Sequence, residues 1–360
     1  MRRNAITTAF VFALLGSLLF AAAATAAPPR PLIYGKTMSE WPGEGQPLRE
    51  WGGLYAAADG EHRQITSHPA DREPNVSRSG EEIVFVREGD IYAMNADGSD
   101  QRQLTSGPDL DERPQISPGI PGAYVLFTRR GSIGEPRHLF TVYLTGGAPQ
   151  QLTSGQGDDF EPSFSLDGRL IIFVRALPGP TGGEIDGNAE LFSIRPSSEG
   201  LTRLTHTPRD ELRPRYFTRG IVFQRRNAIH SPLFVFSMHR DGSDVKLLVG
   251  RKSNSRVGAV SPNGRLLLFN SNGIWKKRLL VTGSWSRAHR LYPQVSENLV
   301  FSPDGREVAG TFASTSSEVS PFYVLSSLDV STGIGQGAVE TWEAEEPGPV
   351  QTSIGSVLGW

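Results

Sequence analysis

Apolar runs of three to five residues recur along this chain, each opened by a small polar turn and followed by a second strand-like run. The clearest turns read Ser302-Pro303-Asp304-Gly305 and Ser261-Pro262-Asn263-Gly264, with Ser165-Leu166-Asp167-Gly168 as a looser copy. Serine first, proline second, an Asx residue third and glycine fourth is the chemistry of a type I turn, so each copy reverses the chain between two strands. The strand after the turn is apolar on both faces: Ile83-Val84-Phe85-Val86, Tyr124-Val125-Leu126-Phe127, Ile171-Ile172-Phe173, Ile221-Val222-Phe223 and Leu266-Leu267-Leu268-Phe269. Such runs predict sheets covered on both sides. A third strand follows, as in Asp90-Ile91-Tyr92-Ala93, Leu139-Phe140-Thr141-Val142, Leu191-Phe192-Ser193-Ile194, Leu233-Phe234-Val235-Phe236 and Phe322-Tyr323-Val324-Leu325. The fourth is brief and polar: Gln64-Ile65-Thr66, Gln103-Leu104-Thr105, Gln151-Leu152-Thr153 and Arg203-Leu204-Thr205. A short, charged outer strand resists edge-to-edge aggregation.

The turn serine stands at Ser77, Ser117, Ser165, Ser261 and Ser302, with Phe217 in the equivalent place, at spacings of 40, 48, 52, 44 and 41 residues. A unit this small cannot bury its own apolar face, so copies must stack, and the spacing is that of propeller blades. The expected fold is all-β: a β-propeller of four-stranded antiparallel blades. Hairpins of strands three and four number seven, beginning at Leu54-Tyr55-Ala56-Ala57, against six serine-type turns. The first hairpin lacks an inner strand, while Gln351 to Trp360 is strand-like with no hairpin after it. Within it Ile354-Gly355-Ser356-Val357-Leu358 resembles the inner-strand stretch Val257-Gly258-Ala259-Val260-Ser261. The expectation is seven blades, the ring closed by the C-terminal strand on the N-terminal blade. The alternative is six blades with extra edge strands.

Composition bounds the rest. The 40 glycines and 26 prolines supply turns for many short strands. A net charge of −2, with no Lys/Arg cluster interleaved with aromatics, speaks against nucleic acid as a partner. Arg2 and Arg3, the apolar run Ala9 to Ala24 and the small-residue site Ala24-Thr25-Ala26 read as a secretory leader. Its most apolar part, Ala9 to Phe20, is shorter than the roughly 20 residues a membrane span needs. Residues 1–26 are therefore expected to be a cleaved signal peptide and 27–360 a single repeat domain. That places the mature chain in a bacterial periplasm or outside the cell, without a transmembrane segment. The chain has no cysteine, which excludes disulfides, thiolate metal sites and a lipoprotein anchor.

Candidate chemistry is sparse. An acid stands three residues before the inner-strand proline at Asp71, Asp111, Asp159 and Glu211, and in the same repeats an arginine follows the strand-two phenylalanine by two residues: Arg87, Arg129, Arg175 and Arg225. The next two repeats lose both, with Ser255 and Ser271 in one and Ser296 and Phe312 in the other. Joint presence and joint loss point to structural ion pairs at the rim, worth about 0–1 kcal/mol each if exposed. Glu73, Arg113, Glu161 and Arg213 alternate in sign directly before the prolines, so neighbours would pair around the channel entrance. Loops between strands two and three share this rim and carry the long insertions: Thr37 to Gly53, Arg130 to His138, Leu177 to Glu190, Arg226 to Pro232 and Ser314 to Pro321. The candidate partner-binding residues there are Trp41, Trp51, Arg49, Arg137, Asp186 and Asn188. The seven histidines show no metal-ligand spacing and read as solvated loop residues, and no Gly-x-Ser-x-Gly elbow occurs. No catalytic residue, metal ligand or cofactor is assigned. The one weak divalent-cation candidate is Asp186-Gly187-Asn188 with Glu184 and Glu190, which departs from the twelve-residue calcium loop.

The order Asp97-Gly98, Arg102-Gln103-Leu104-Thr105, Asp111 to Pro114 and Ser117-Pro118, with the copy at residues 301–305, resembles the TolB-like family of WD-type propeller repeats. The repeats cover nearly all of the expected mature chain. The resemblance implies a periplasmic propeller that binds an envelope lipoprotein. It also implies an α/β domain ahead of the propeller, for which residues 27 to about 50 leave no room. The reading is an exported, non-catalytic propeller docking a protein or cell-envelope partner on its loop-rich rim. The alternative is a propeller enzyme, a metal-assisted sugar lyase or lactonase with its site in the channel.

Overall fold

The computed structural model describes residues 31–40, 49–58, 61–119, 123–132, 134–176, 189–227, 231–249, 254–293, 296–302, 304–314, 322–329, 331, 335–343, 350–353 and 358–359. Every regular element among them is a β-strand, and all pairings are antiparallel within seven sheets. Sheets two to seven are each four strands taken in chain order. The second, Arg72–Val76, Glu82–Arg87, Asp90–Asn95 and Arg102–Gln103, is representative. The first sheet takes Leu32–Glu40, Arg49–Ala58 and Glu61–Gln64 from the front of the chain and Val350–Ser353 with Leu358–Gly359 from its end. Leu358 pairs with Tyr34 and Ser353 with Thr37, so the late strands flank Leu32–Glu40 on the side away from Arg49–Ala58. Residues 354–357 and the leader lie outside the described residues.

First strands gather toward one another: Arg72–Val76 lies against Leu110–Ile116, and Leu358–Gly359 against both Arg72–Val76 and Ser296–Phe301. Apolar clusters fill the seams. Val84, Val86 and Ile91 of the second sheet pack on Val125 and Phe127 of the third. Comparable clusters join each further pair up to Leu268 and Ile274 with Phe301 and Val308. Ala309 and Val300 of the seventh sheet pack on Leu32, Tyr34 and Tyr55 of the first. The strand-two runs are buried on both faces, as their unbroken apolar character requires.

The turn chemistry is visible atom by atom. In the Ser302 copy the Gly305 N–H bonds the Ser302 carbonyl at 2.8 Å, and the Ser302 Oγ accepts from the Glu307 N–H at 2.9 Å while donating to Asp304 at 2.7 Å. Ser165 and Ser261 repeat this arrangement. Gly98 has φ +90° and an added Cβ would stand 2.6 Å from the Ile65 carbonyl oxygen, so this turn presses on the preceding sheet. Strand four is shorter than the sequence suggests, ending at Gln103 rather than Thr105 and at Arg203 rather than Thr205. The reason is local: Leu104 and Leu204 turn inward, and the Thr105 and Thr205 hydroxyls accept strand-three N–H groups at 2.8 and 2.9 Å. Leu-Thr is thus a latch, and the ladder stops before it.

Candidate functional site

Inner strands set the site. Each of those in sheets two to five carries a one-residue bulge beside its proline, between Arg72 and Asn75, Glu112 and Gln115, Phe160 and Ser163, and Leu212 and Arg215. The residue before each proline adopts a left-handed backbone: Glu73 at φ 54°, Arg113 at 55°, Glu161 at 51° and Arg213 at 47°. Non-glycine residues there are strained by about 1 kcal/mol or more each, and a bulge re-aims its side chain. Four successive charged residues are held this way. Glu73 Oε2 accepts from the Arg113 backbone N–H at 2.6 Å, and Glu161 Oε2 from that of Arg213 at 2.6 Å, with the Arg213 guanidinium 3.7 Å away. Both acids therefore clasp the following sheet, while Arg113 and Arg213 remain exposed.

One step deeper, the first register pair past the bulge brings in Asn75, Gln115, Ser163 and Arg215. Asn75 accepts from the Ile116 N–H at 2.9 Å and Gln115 donates to the Pro162 carbonyl at 2.8 Å, so these side chains also bridge sheets. Arg215 donates to its neighbour Pro214 O at 2.8 Å. Burial holds the Arg215 guanidinium below its ordinary pKa, with Arg213 and Arg113 adding to this and Glu161 opposing it. A cavity of about 270 Å³ is lined by Asn75, Gln115, Ser163, Phe164, Pro262 and Phe301. A larger cleft, about 740 Å³, lies between sheets six and seven and is lined by Lys276, Arg278, His289 and Arg306 among others.

The acid–arginine pairs expected at the rim are all formed. Arg87 Nε reaches Asp71 at 2.6 Å, Arg129 reaches Asp111 at 2.7 Å, Arg175 reaches Asp159 at 2.5 Å and Arg225 reaches Glu211 at 2.7 Å. The first three are bidentate. All four acids are buried, which the exposed-pair estimate did not anticipate. Each guanidinium also lies over two stacked rings, as Arg129 does over Phe127 at 5.5 Å and Phe140 at 4.9 Å. Among the described residues, one oxygen of these four acids is buried without a hydrogen-bond partner, and it belongs to Glu211. Its Oε1 takes Arg225 and the Thr207 hydroxyl, while its Oε2 is buried with no hydrogen-bond partner. Burial pushes Glu211 up to about 7, against Arg225, with the charge of Glu190 adding to the rise.

Glu190 is a residue the sequence reading placed beside a possible calcium loop. It is fully buried and accepts instead from Arg203 at 2.8 Å and the Thr207 N–H at 2.7 Å. Glu184 and Asp186 to Asn188 lie outside the described residues, and among the described residues no group of three or more acids or histidines could hold a metal. His138 corrects the loop-histidine reading: it sits in strand His138–Tyr143, its buried Nδ1 3.5 Å from Asp159. Its signal was its place at the head of a strand-three run.

The rim candidates divide. Trp51 is 39% exposed and Arg49 exposed, but both lie on a strand, opposite Met38 and Glu40, and not in the expected loop. The ladder runs unbroken through Gly52 and Gly53, which pair with Thr37 and Lys36. Arg137 bonds Asp158 of the next sheet through its backbone N–H (2.7 Å) and Nε (3.0 Å), so it ties sheets together. Trp41, Asp186 and Asn188 lie outside the described residues.

No family model matches the chain. A TolB homolog from Chlorobium chlorochromatii (strain CaD3) is 28% identical over 141 residues, covering 27% of this chain and 32% of that protein. The chain resembles the TolB-like propeller family. The match spans about a third of the TolB homolog's length. Among solved structures, a puromycin hydrolase variant superposes with TM-score 0.62 at 16% identity over 89% of this chain and 53% of that one. An oligogalacturonate lyase from Vibrio parahaemolyticus superposes with TM-score 0.54 at 12% identity, covering 88% and 86%. These likenesses carry the fold alone. The TolB-like chain shares its architecture with proteins of several activities.

Proposed function

We propose that the seven sheets are the blades of one propeller whose ring is completed by the C-terminal strands, and that the protein is an exported, non-catalytic binding module. It docks a protein or cell-envelope partner on the rim where strands two and three are joined. The observation that carries this reading is the fate of the rim charges. Asp71, Asp111 and Asp159 are buried under their arginines and act as scaffold, while Arg49, Trp51, Arg113 and Arg213 stay exposed. Export follows from the leader-like residues 1–26, and the described residues contain no helix long and apolar enough to cross a membrane. The test is capture from a bacterial envelope extract. The intact protein should retain a partner and the double variant R49A/W51A should lose it; equal capture by both refutes the rim assignment.

The second reading is a propeller enzyme, favoured by one observation: Glu211, buried beside Glu190 and held partly protonated near neutral pH, has the character of a general acid. Neither carboxylate lines the cavities described above. A stoichiometric divalent ion in the purified protein would favour the lyase form of this reading.

A further inference from the structure

The face that sheet six turns to sheet seven is basic where it leaves the core. Leu268 meets Phe301 and Val308 in the seam, with Leu266 partly buried against them. Register pairs Leu266 with Arg278, Leu268 with Lys276 and Lys276 with His289, so all three basic side chains stand on that face. Across the gap the Ser302 turn of sheet seven presents Gly305 and Arg306. These residues, with Ser286 and Ser331, line the cleft of about 740 Å³, a volume within the range of small-molecule sites. Lys276 Nζ donates to the Ser331 carbonyl at 3.1 Å, linking the two walls. Arg278 and His289 are exposed, and their side chains have no hydrogen bond or ion pair among the described residues.

Acids offer little to offset this charge. Between Asp244 and Glu297 every charged residue is basic, a bias hidden in the net charge of −2, so sheet six brings no acid of its own. Asp304 stands 3.8 Å from the Arg306 guanidinium, but its Oδ1 already accepts from the Ser302 hydroxyl at 2.7 Å and the Arg306 N–H at 3.0 Å. Glu307 alternates with Val308 and so stands on the face turned to the first sheet, where its register partner is Asp329. Glu297, Glu340 and Glu343 pair with Thr311, Leu325 and Phe322, farther along the ladder from the Ser302 turn.

We propose that this cleft binds a phosphate monoester carried on a small hydrophilic group, held by Arg278, His289 and Arg306. It lies at the end of the ladder where Leu266 meets Arg278, opposite the end where strands two and three join, and is independent of the docking role above. The donors select the ligand class. They face the cleft from both walls, which a tetrahedral group with three outward oxygens satisfies at once, while a planar carboxylate suits a single guanidinium fork. Charge agrees: Arg278 and Arg306 against Asp304 leave an excess positive charge, and a phosphate monoester carries about −1.5 to −2 near neutral pH. The volume exceeds what bare phosphate fills, leaving room beside Leu266 and Gly305 for the esterified group.

Titration calorimetry with glycerol 3-phosphate at low ionic strength tests the site. The intact protein should bind it saturably, and Arg278→Gln and Arg306→Gln should each weaken binding about tenfold, the loss of one charge-assisted contact. Both side chains are exposed, so both variants should melt as the parent does. Arg169→Gln, at the same position of the Ser165 turn, should bind as the parent does. Phosphatidylcholine vesicles containing phosphatidic acid present the same phosphate on a lipid. Sedimentation of the parent but not of R278Q with them assigns the site to a headgroup, and binding of the soluble ester alone assigns it to a free ester; both support the site. Lack of saturable binding to either probe, parent-like binding by R278Q and R306Q, or displacement by succinate as strong as by inorganic phosphate would overturn it.

Discussion

Glu211 concentrates the electrostatics of one seam in a single proton. Its folded pKa stands at about 7 against an ordinary 4.5, so between those values the folded chain keeps a proton that the unfolded chain has released. Stability therefore falls as pH rises through that window, by up to about 3 kcal/mol, and levels off above it. Glu211→Gln should remove this slope, which melting curves across the same pH range would reveal. A slope unchanged by the substitution would refute the assignment. Asp111 is fully buried against Arg129, and removing one partner of a buried pair costs about 3–5 kcal/mol, well above the surface value. Asp111→Asn should lower the urea midpoint accordingly. The pairing itself was legible in the sequence, because acid and arginine appear and disappear together. Burial was not, since it depends on the ring pairs Phe127–Phe140 and Phe173–Phe192 formed across strands.

At the level of strands, what the sequence revealed was periodicity and what it hid was geometry. Ser-Pro-Asp-Gly turns and doubly apolar runs placed strand two within a few residues in every copy named. The Leu-Thr latch was recognisable as a pattern yet misassigned as ladder, because a threonine that accepts a backbone N–H looks like a strand residue in one dimension. The inner-strand bulges were invisible: Glu-Pro and Arg-Pro disfavour helix but do not announce a left-handed φ. Replacing Arg113 by glycine tests whether strain is maintained for the side chain. Relief of the αL penalty, set against the added chain entropy of glycine, predicts a stability change between zero and about 1 kcal/mol in the stabilising direction. Thermal melting measures it, and clear destabilisation would mean that the Arg113 side chain supports the fold.

For the whole molecule, the mixed origin of the first sheet matters most. Its strand Leu32–Glu40 is flanked on one side by Arg49–Ala58 and on the other by Val350–Ser353 and Leu358–Gly359. The likeness of residues 354–358 to the inner-strand stretch Val257 to Ser261 points to a C-terminal strand beside the first hairpin, and Val350–Ser353 with Leu358–Gly359 does pair with Leu32–Glu40. Deleting residues 350–360 would strip one side of Leu32–Glu40 and bare its amide and carbonyl groups. An unpaired strand of that length is a template for other chains. The truncated protein should scatter light and sediment as aggregates at concentrations where the parent stays monodisperse. The late strands thus guard the solubility of this sheet by covering one edge of Leu32–Glu40, and proteolytic trimming there would leave that edge sticky.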